Sequence, residues 1–202
     1  MEVFIGIDPG LHGGLAIIET SGLLVEMMPM PLIDGELDHF SVAKIFKDWM
    51  FEYQVKLVVV EQLSCRPGQN VMGVMKSGKN YGILLGVLES IGASYIEVRP
   101  QDWMKSFPPI TKFEKKPDKR RKLIKARNAE IAKKLFKGEK FTIGIRSTKP
   151  HDGIVDAVLL AKHAFNRWHD RKKTVGSADW EQETKKRPNL FGLRKKPISS
   201  QN

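Results

Sequence analysis

The first 28 residues contain three apolar segments joined by turns that are too short for anything but antiparallel pairing. Residues 2–8 read EVFIGID, residues 15–19 read LAIIE and residues 23–28 read LLVEMM. The connections contain GLHGG and SG, in which glycine adopts positive φ at little steric cost. A parallel pair would need a crossover of roughly a dozen residues or more. The N-terminal segment therefore predicts a three-stranded antiparallel meander.

The rest of the chain alternates apolar strands with helical patterns. Residues 56–61, KLVVVE, are continuously apolar, as in a strand that is covered on both faces. Another strand is predicted at 94–100, and a loop is predicted after Glu61 as far as residue 80. Helical spacing indicates helices over residues 39–53, 81–92, about 118–137 and 151–168, with a short helix starting at Pro100. This order predicts an α/β fold, a mixed five-stranded sheet with helices on both faces.

Four acidic residues fall where ionised side chains are hard to accommodate. Asp8 and Glu61 each end an apolar strand. Asp152 and Asp156 lie four residues apart, on one face of a helix. If the first strand lies beside strand 56–61, Asp8 and Glu61 become neighbours and the helix packs across them. Clustered carboxylates lose hydration and repel one another, and a hard divalent cation removes both problems. The pattern therefore predicts a Mg²⁺ site, with Mn²⁺ as an alternative.

Each of these residues also has a structural interpretation. Asp-Pro-Gly at 8–10 is a common turn, and Glu61 can simply mark where a strand meets solvent. Asp152 can cap the N-terminus of its helix, and the adjacent His151 can be a ligand, an acid–base group or an exposed residue. Asp156 lies beside the apolar stripe of its helix, which disfavours a solvated role. The sequence leaves these interpretations open residue by residue, and the combination of all four favours the metal site.

The positive charge of the chain is concentrated. Lys and Arg number 34 against 23 Asp and Glu, a net charge of +11, and residues 111–140 alone hold 13 basic and 4 acidic residues. Such a cluster indicates a polyanionic partner, nucleic acid ahead of an anionic membrane, with a solvated basic face as the alternative. The residues predicted to contact DNA are Arg66, Gln69, Asn70, Lys76, Lys79, Asn80, Lys119, Arg120, Arg121, Lys122 and Lys125.

The predicted organisation is one domain over residues 1–170, including the basic segment 111–140, followed by a flexible basic tail over 171–202. The single cysteine, Cys65, cannot form an internal disulfide. No apolar run reaches the roughly 18 residues that span a bilayer, and the N-terminus does not read as a signal peptide. We therefore expect a cytoplasmic protein with no membrane partner. We also expect no small-molecule cofactor.

Four sequence blocks form a specific combination when they are taken in order. They are IGIDPGLHGGLAII at 5–18, VVVEQ at 58–62, GKNYGILLGVLESIG at 78–92 and HDGIVDAVLLA at 151–161. Together they cover roughly residues 3–165, and this region resembles the RuvC-like Holliday junction resolvases of the ribonuclease H-like superfamily, particularly the phage-type branch.

The resemblance implies a fold, a site and an activity. The fold is ribonuclease H-like, and each active site would use two Mg²⁺ ions. The implied catalytic and metal-binding carboxylates are Asp8, Glu61, Asp152 and Asp156. The implied activity is that of a homodimer making paired symmetric nicks across a four-way DNA junction, which leaves 5′-phosphate and 3′-hydroxyl ends. Such enzymes serve DNA recombination and repair in the cytoplasm of a bacterial or phage-infected cell.

The chain departs from the family pattern in two places. Many bacterial members have the last two acidic residues three apart, whereas here Gly153 occupies that position and Asp152 lies one residue earlier. An aromatic residue that wedges the junction open often stands three residues after the strand glutamate, where this chain has Ser64. Leu63 or a methionine of the following segment would have to serve instead.

Three other functions remain open at the level of sequence. One is a nuclease that acts on flaps, on other branched DNA or on RNA–DNA hybrids. Another is a basic DNA-binding module without catalysis, which would be indifferent to changes in the four carboxylates. The strand–Asp–Gly start is also similar to the phosphate loop of actin-like ATPases and sugar kinases, but the second domain that those proteins need is not visible in this sequence.

Overall fold

A five-stranded mixed sheet forms the centre of the molecule. The computed structural model describes residues 1–65, 68–112, 114–144 and 146–174, with side chains to residue 170. In chain order the strands are β1 (Glu2–Asp8), β2 (Gly14–Glu19), β3 (Leu24–Pro29), β4 (Leu32–Ile33), β5 (Glu36–Leu37), β6 (Gln54–Glu61) and β7 (Tyr95–Val98). The helices are α1 (His39–Glu52), α2 (Val71–Ser90), α3 (Pro100–Trp103) with a 3-10 turn (Met104–Ser106), α4 (Pro117–Leu135) and α5 (Asp152–Thr174).

The sheet confirms the predicted fold class. Its strand order is β3-β2-β1-β6-β7. The first three strands pair antiparallel as a meander, and β6 pairs parallel with both β1 and β7. The two central strands, β1 and β6, therefore end at the same edge of the sheet.

Two apolar cores lie on opposite faces of this sheet, because successive side chains of a strand alternate between its faces. On β1, Phe4 belongs to one core and Ile5 to the other. The first core is completed by α3, α4 and α5, and the second by α1 and α2. Both cores cover β1 and β6, which explains their continuous apolar sequences.

Helix α5 lies unusually close to β1, and glycine permits this contact. A Cβ atom built on Gly6 would stand 2.1 Å from the carbonyl oxygen of Ala157 and 2.2 Å from the amide nitrogen of Ala161. A Cβ on Gly153 would stand 2.1 Å from the carbonyl oxygen of His12. Backbone therefore packs directly on backbone at both places, and the first turns of α5 are held against the end of β1.

The predicted loop as far as residue 80 is wrong, because α2 already begins at Val71. The side chain of Asn70 accepts a hydrogen bond from the amide of Met72 at 2.9 Å and caps this helix. Gly73 and Gly78 weaken the helical pattern of the sequence, but both lie within the helix. The sequence analysis missed the first ten residues of α2 because they contain glycines and polar residues and have no apolar stripe.

Two smaller differences from the sequence prediction concern residues 30–37 and the end of α5. No strand is predicted between residues 28 and 39, but this segment contains the hairpin β4–β5, whose two turn residues, Asp34 and Gly35, have φ of 51° and 75°. Positive φ at both central residues is what a two-residue hairpin turn of type I′ requires. Helix α5 continues to Thr174, past the predicted domain end at 170, and the rest of the predicted tail, 175–202, lies outside the described residues.

Within the described part of the chain, no helix has the length and apolarity to cross a bilayer.

The backbone contact at β1 predicts a large effect of a single methyl group. We expect Gly6→Ala to lower the free energy of unfolding by about 1–3 kcal/mol or more, since the methyl must displace backbone atoms. In a protein of this size that loss corresponds to a decrease in Tm of about 2–4 °C per kcal/mol. The matched control is Gly78→Ala, where a Cβ meets nothing within 4 Å and helix propensity favours alanine. Thermal unfolding of both variants is the measurement, and an equal response would contradict the assigned contact.

Candidate active site

Three of the predicted carboxylates meet at the shared edge of β1 and β6. Ile7 of β1 pairs with Val60 of β6, so that Asp8 and Glu61 are the next residues on two adjacent parallel strands. Asp156, in the second turn of α5, is brought to the same place by the backbone contact of that helix with β1. The three groups are so close that the negative charge of Asp8 raises the pKa of both Glu61 and Asp156.

Burial makes the charged form of all three carboxylates unfavourable. Desolvation is the largest cause in each case, and it raises the pKa of Asp8 to about 6, of Asp156 to about 7 and of Glu61 to about 8. Repulsion between the carboxylates adds to the effect. The amide of Gly10 acts in the opposite direction by donating a hydrogen bond to Asp8 Oδ1 at 3.3 Å. The positive charge of Lys125 also lowers the pKa of Asp8, but it does not offset burial.

Glu61 and Asp156 each accept a hydrogen bond from a neutral side chain. Trp103 Nε1 donates to Glu61 Oε2 at 2.7 Å, and Asn128 Nδ2 donates to Asp156 Oδ1 at 2.8 Å. Both hydrogen bonds lower the pKa of the accepting carboxyl, but desolvation outweighs them. Sequence analysis missed both donors. The signal for Asn128 was its position four residues before Ala132 on the inward side of α4, where a polar residue needs a partner.

The fourth carboxylate, Asp152, has a different environment. It is the first residue of α5, and its Oδ2 forms an ion pair with Lys125 Nζ of α4. The helix cap that the sequence allowed for Asp152 is supplied by His151, whose Nδ1 accepts from the amide of Ile154 at 3.2 Å. The amide of His151 in turn donates to the carbonyl of Phe141 at 2.6 Å. His151 thus holds the start of α5, and burial lowers its pKa.

The carboxylates fit a divalent cation by their chemistry. They form an all-oxygen donor set, they repel one another, and Asp8, Glu61 and Asp156 have no ion-pair partner among the described residues. Hard cations such as Mg²⁺ and Mn²⁺ take such ligands. In the ranges described, however, no three His, Cys, Asp or Glu side chains are gathered so as to hold an ion. The side chains that a cation would need are therefore present, but they are not yet arranged as a coordination site.

The predicted DNA contacts are divided between exposed residues and residues with other roles. Exposed side chains belong to Gln69, Asn70, Lys79, Lys119, Arg120, Arg121 and Lys122. Gln69 and Asn70 line a pocket just beyond the end of β6, and Lys76 pairs with Glu36 at 2.5 Å. Asn80 lies on the buried side of α2 and is only 4% exposed, so its contact with DNA stays a prediction that this burial does not favour. Lys125 pairs with Asp152, and Arg66 lies outside the described residues.

Comparison with known proteins identifies the fold. No protein-family model matches the chain, and no curated protein does so either. Among solved structures, Thermus thermophilus RuvC in complex with a Holliday junction substrate shares 15% identity at a TM-score of 0.59, over 84% of this chain and 96% of that one. A second structure of Thermus thermophilus RuvC shares 19% identity at a TM-score of 0.54, over 83% and 96%.

The yeast mitochondrial Holliday junction resolvase shares 14% identity at a TM-score of 0.50, over 89% of this chain and 83% of that one. At such identities these matches show the fold. The predicted RuvC-like, ribonuclease H-like architecture is thereby confirmed.

The raised pKa values predict that the metal-free protein loses stability as pH rises. The folded state retains protons that the unfolded chain releases near pH 4, so the stabilisation is complete below that pH and is lost as pH increases through about 6 to 8. Thermal unfolding in a chelator between pH 5 and 8.5 measures this slope. We expect Glu61→Gln to flatten it and to raise Tm at pH 8 by at least about 2–4 °C, the equivalent of about 1 kcal/mol. Glu130→Gln, an exposed change on α4, is the control, and a Tm that rises with pH in the wild-type protein would refute the assignment.

Proposed function

We propose that the protein is a metal-dependent endonuclease that resolves four-way DNA junctions by paired symmetric nicks. The observation that carries this proposal is the meeting of Asp8, Glu61 and Asp156 at the carboxyl ends of two central strands, with no ion-pair partner in the described part of the chain. A protein retains such an unfavourable cluster when a ligand of opposite charge is needed there. The basic surface on α4 indicates that a polyanion approaches the same place.

Asp8, Glu61 and Asp156 would hold the ions, and we assign Asp8 to both ion positions because, of the neighbouring charges, its own raises the pKa of the other two carboxyls most. Asp152 would assist from the first turn of α5. Two divalent cations held there would supply the activation of a water and the stabilisation of the 3′ oxygen that leaves the phosphodiester. The protein's own contribution is to hold the carboxylates in a place of restricted hydration, which strengthens their interaction with positive charge.

Helix α4 connects the DNA surface to the carboxylates. Its first turns expose Lys119, Arg120, Arg121 and Lys122, and nine residues after Lys119 it supplies Asn128 to Asp156. At 1.5 Å per residue this separation is about 13 Å, the length of about four base-pair steps. A duplex whose phosphates lie along the exposed turns would therefore extend over the carboxylates. Such contacts orient the backbone and carry little sequence information.

A four-way junction is the substrate we favour, and a homodimer is the form we expect. The structure of Thermus thermophilus RuvC with its Holliday junction substrate supports branched DNA as the partner of this fold. The described residues contain one carboxylate cluster, and two symmetric cuts need two such sites. A two-fold dimer places identical sites symmetrically and so matches the symmetry of a junction.

Replacing the carboxylate shared by both proposed ion positions should separate cutting from binding. We expect Asp8→Asn to slow cleavage of a synthetic four-way junction by more than about 100-fold, above the 10- to 100-fold that loss of a supporting residue causes. Its Kd for the junction should stay within a few-fold of the wild-type value, because the basic surface is unchanged. Denaturing gels with and without Mg²⁺ measure the rate, and linear duplex, flap and RNA–DNA hybrid are the parallel substrates. Preference for the hybrid, or normal cutting by the variant, would reject the proposal.

The basic turns of α4 should contribute electrostatic affinity. We expect the double variant Arg120→Gln/Arg121→Gln to weaken junction binding and to reduce the slope of log K against log salt by about 1 for each phosphate that is no longer neutralised. Titrations at several salt concentrations give this slope. The control is Lys47→Gln, on the exposed side of α1 across the sheet, which should leave both quantities unchanged. Equal slopes for the double variant and the wild-type protein would remove α4 from the DNA surface.

A further inference from the structure

Two buried donors approach the carboxylates from the same side of the sheet. Trp103, at the end of α3, and Asn128, in the middle of α4, are each only 1% exposed. Each directs its polar hydrogen to one carboxylate, Trp103 to Glu61 and Asn128 to Asp156. Neither donor carries a charge, in contrast to Lys125, which forms an ion pair with Asp152.

The orientation of the Asn128 amide is fixed by its neighbour Arg127. Arg127 Nη1 donates to Asn128 Oδ1 at 3.0 Å. A guanidinium can only donate, so the amide oxygen must face Arg127 and the amide nitrogen must face Asp156. The hydrogen bond from Arg127 thus keeps the amide of Asn128 in the orientation in which its nitrogen donates to Asp156.

Arg127 is itself held by the segment that carries Trp103. Its Nε donates to the carbonyl of Pro108 at 2.8 Å, and its Nη2 donates to the carbonyls of Met104 and Phe107 at 2.9 and 3.0 Å. Residues 103–108 therefore supply one donor directly and anchor the arginine that orients the other. Helices α3 and α4 act on the site as one hydrogen-bonded unit.

Each of these hydrogen bonds engages one oxygen of its carboxylate and leaves the second oxygen for a ligand. Trp103 engages Oε2 of Glu61, which leaves Oε1, and Asn128 engages Oδ1 of Asp156, which leaves Oδ2. A neutral donor restricts the rotation of a carboxylate without neutralising it, so that the negative charge stays available to a cation. A carboxylate that is ordered in advance loses less conformational entropy when an ion binds.

We propose that Trp103 and Asn128 are positioning residues that present Glu61 and Asp156 to a divalent cation, with Arg127 setting the amide of Asn128. The inference deepens the proposed function, on which it rests for the identity of the ligand. Its distinguishing feature is that the effect appears in ion affinity, in the absence of DNA. Supporting residues of this kind typically change metal affinity or activity by about 10- to 100-fold.

The test is calorimetric titration of the full-length protein with Mn²⁺ alone. We expect Trp103→Phe and Asn128→Leu each to weaken Mn²⁺ binding by about 10- to 100-fold. The control is Trp49→Phe. Trp49 is 3% exposed, and its Nε1 donates to Glu26 Oε2 at 2.9 Å on the opposite face of the sheet. This variant loses the same kind of buried indole–carboxylate hydrogen bond, and its Mn²⁺ affinity should equal that of the wild-type protein.

A second variant separates hydrogen bonding from packing in case Trp103→Phe unfolds. Benzothienylalanine at position 103 keeps the size and shape of the indole and replaces its N–H by sulfur, so only the donor is removed. Weakened Mn²⁺ binding by this variant, at an unchanged Tm without metal, supports the inference. Wild-type affinity in this variant and in Asn128→Leu overturns it.

The ion titration and the cleavage assay fail independently of each other. Mn²⁺ binding that depends on Trp103 and Asn128, in a protein that cuts no branched DNA, would sustain the positioning role and refute the proposed function. If both variants keep the Mn²⁺ affinity of the wild-type protein and still cleave the junction, the proposed function stands and the positioning role is refuted. A wild-type protein that binds no Mn²⁺ would overturn the inference together with the metal assignment.

Discussion

The backbone contact between α5 and β1 is the constraint on which the site depends. Without a Cβ at Gly6 the helix can approach the strand, and without one at Gly153 it can approach the turn that follows the strand. The helix can then lie close enough for Asp156 to reach the charge environment of Asp8. A helix held farther out by ordinary side chains would leave the carboxylates on separate surfaces. Two glycines inside a predicted strand and a predicted helix, not in turns, thus help to bring the acidic groups together.

This arrangement has an energetic cost that the rest of the fold must offset. Three partly buried carboxylates with raised pKa values oppose folding at neutral pH, and no basic side chain pairs with Asp8, Glu61 or Asp156 in the part of the chain that is described. Two apolar cores on opposite faces of the sheet supply the compensating stability. Charge that is costly in the free protein is useful when a cation binds, since the same restricted hydration that raises the pKa values strengthens the attraction.

Helix α4 combines two roles that would otherwise need separate elements. Its exposed first turns form the basic surface, and its inward side supplies Asn128 and Lys125 to the acidic residues. The proposed DNA surface and two side chains that contact the acidic residues therefore lie on one helix. Any shift of α4 under bound DNA would be transmitted to Asp156 through a single hydrogen bond.

The sequence by itself determined the sheet, the position of Asp8 and Glu61 at its strand ends, and the basic character of α4. These features depend on local information, namely alternation of side chains, turn length and charge density. It did not reveal that α2 begins at Val71, because glycines and polar residues hide the helical pattern there.

Only the tertiary structure decided which side chains contact the carboxylates. Trp103 lies 42 residues from Glu61, and Asn128 lies 28 residues from Asp156. No local pattern encodes a contact between residues that far apart. It exists because α3 and α4 pack on the same face of the sheet as α5, and packing between elements is a property of the whole chain.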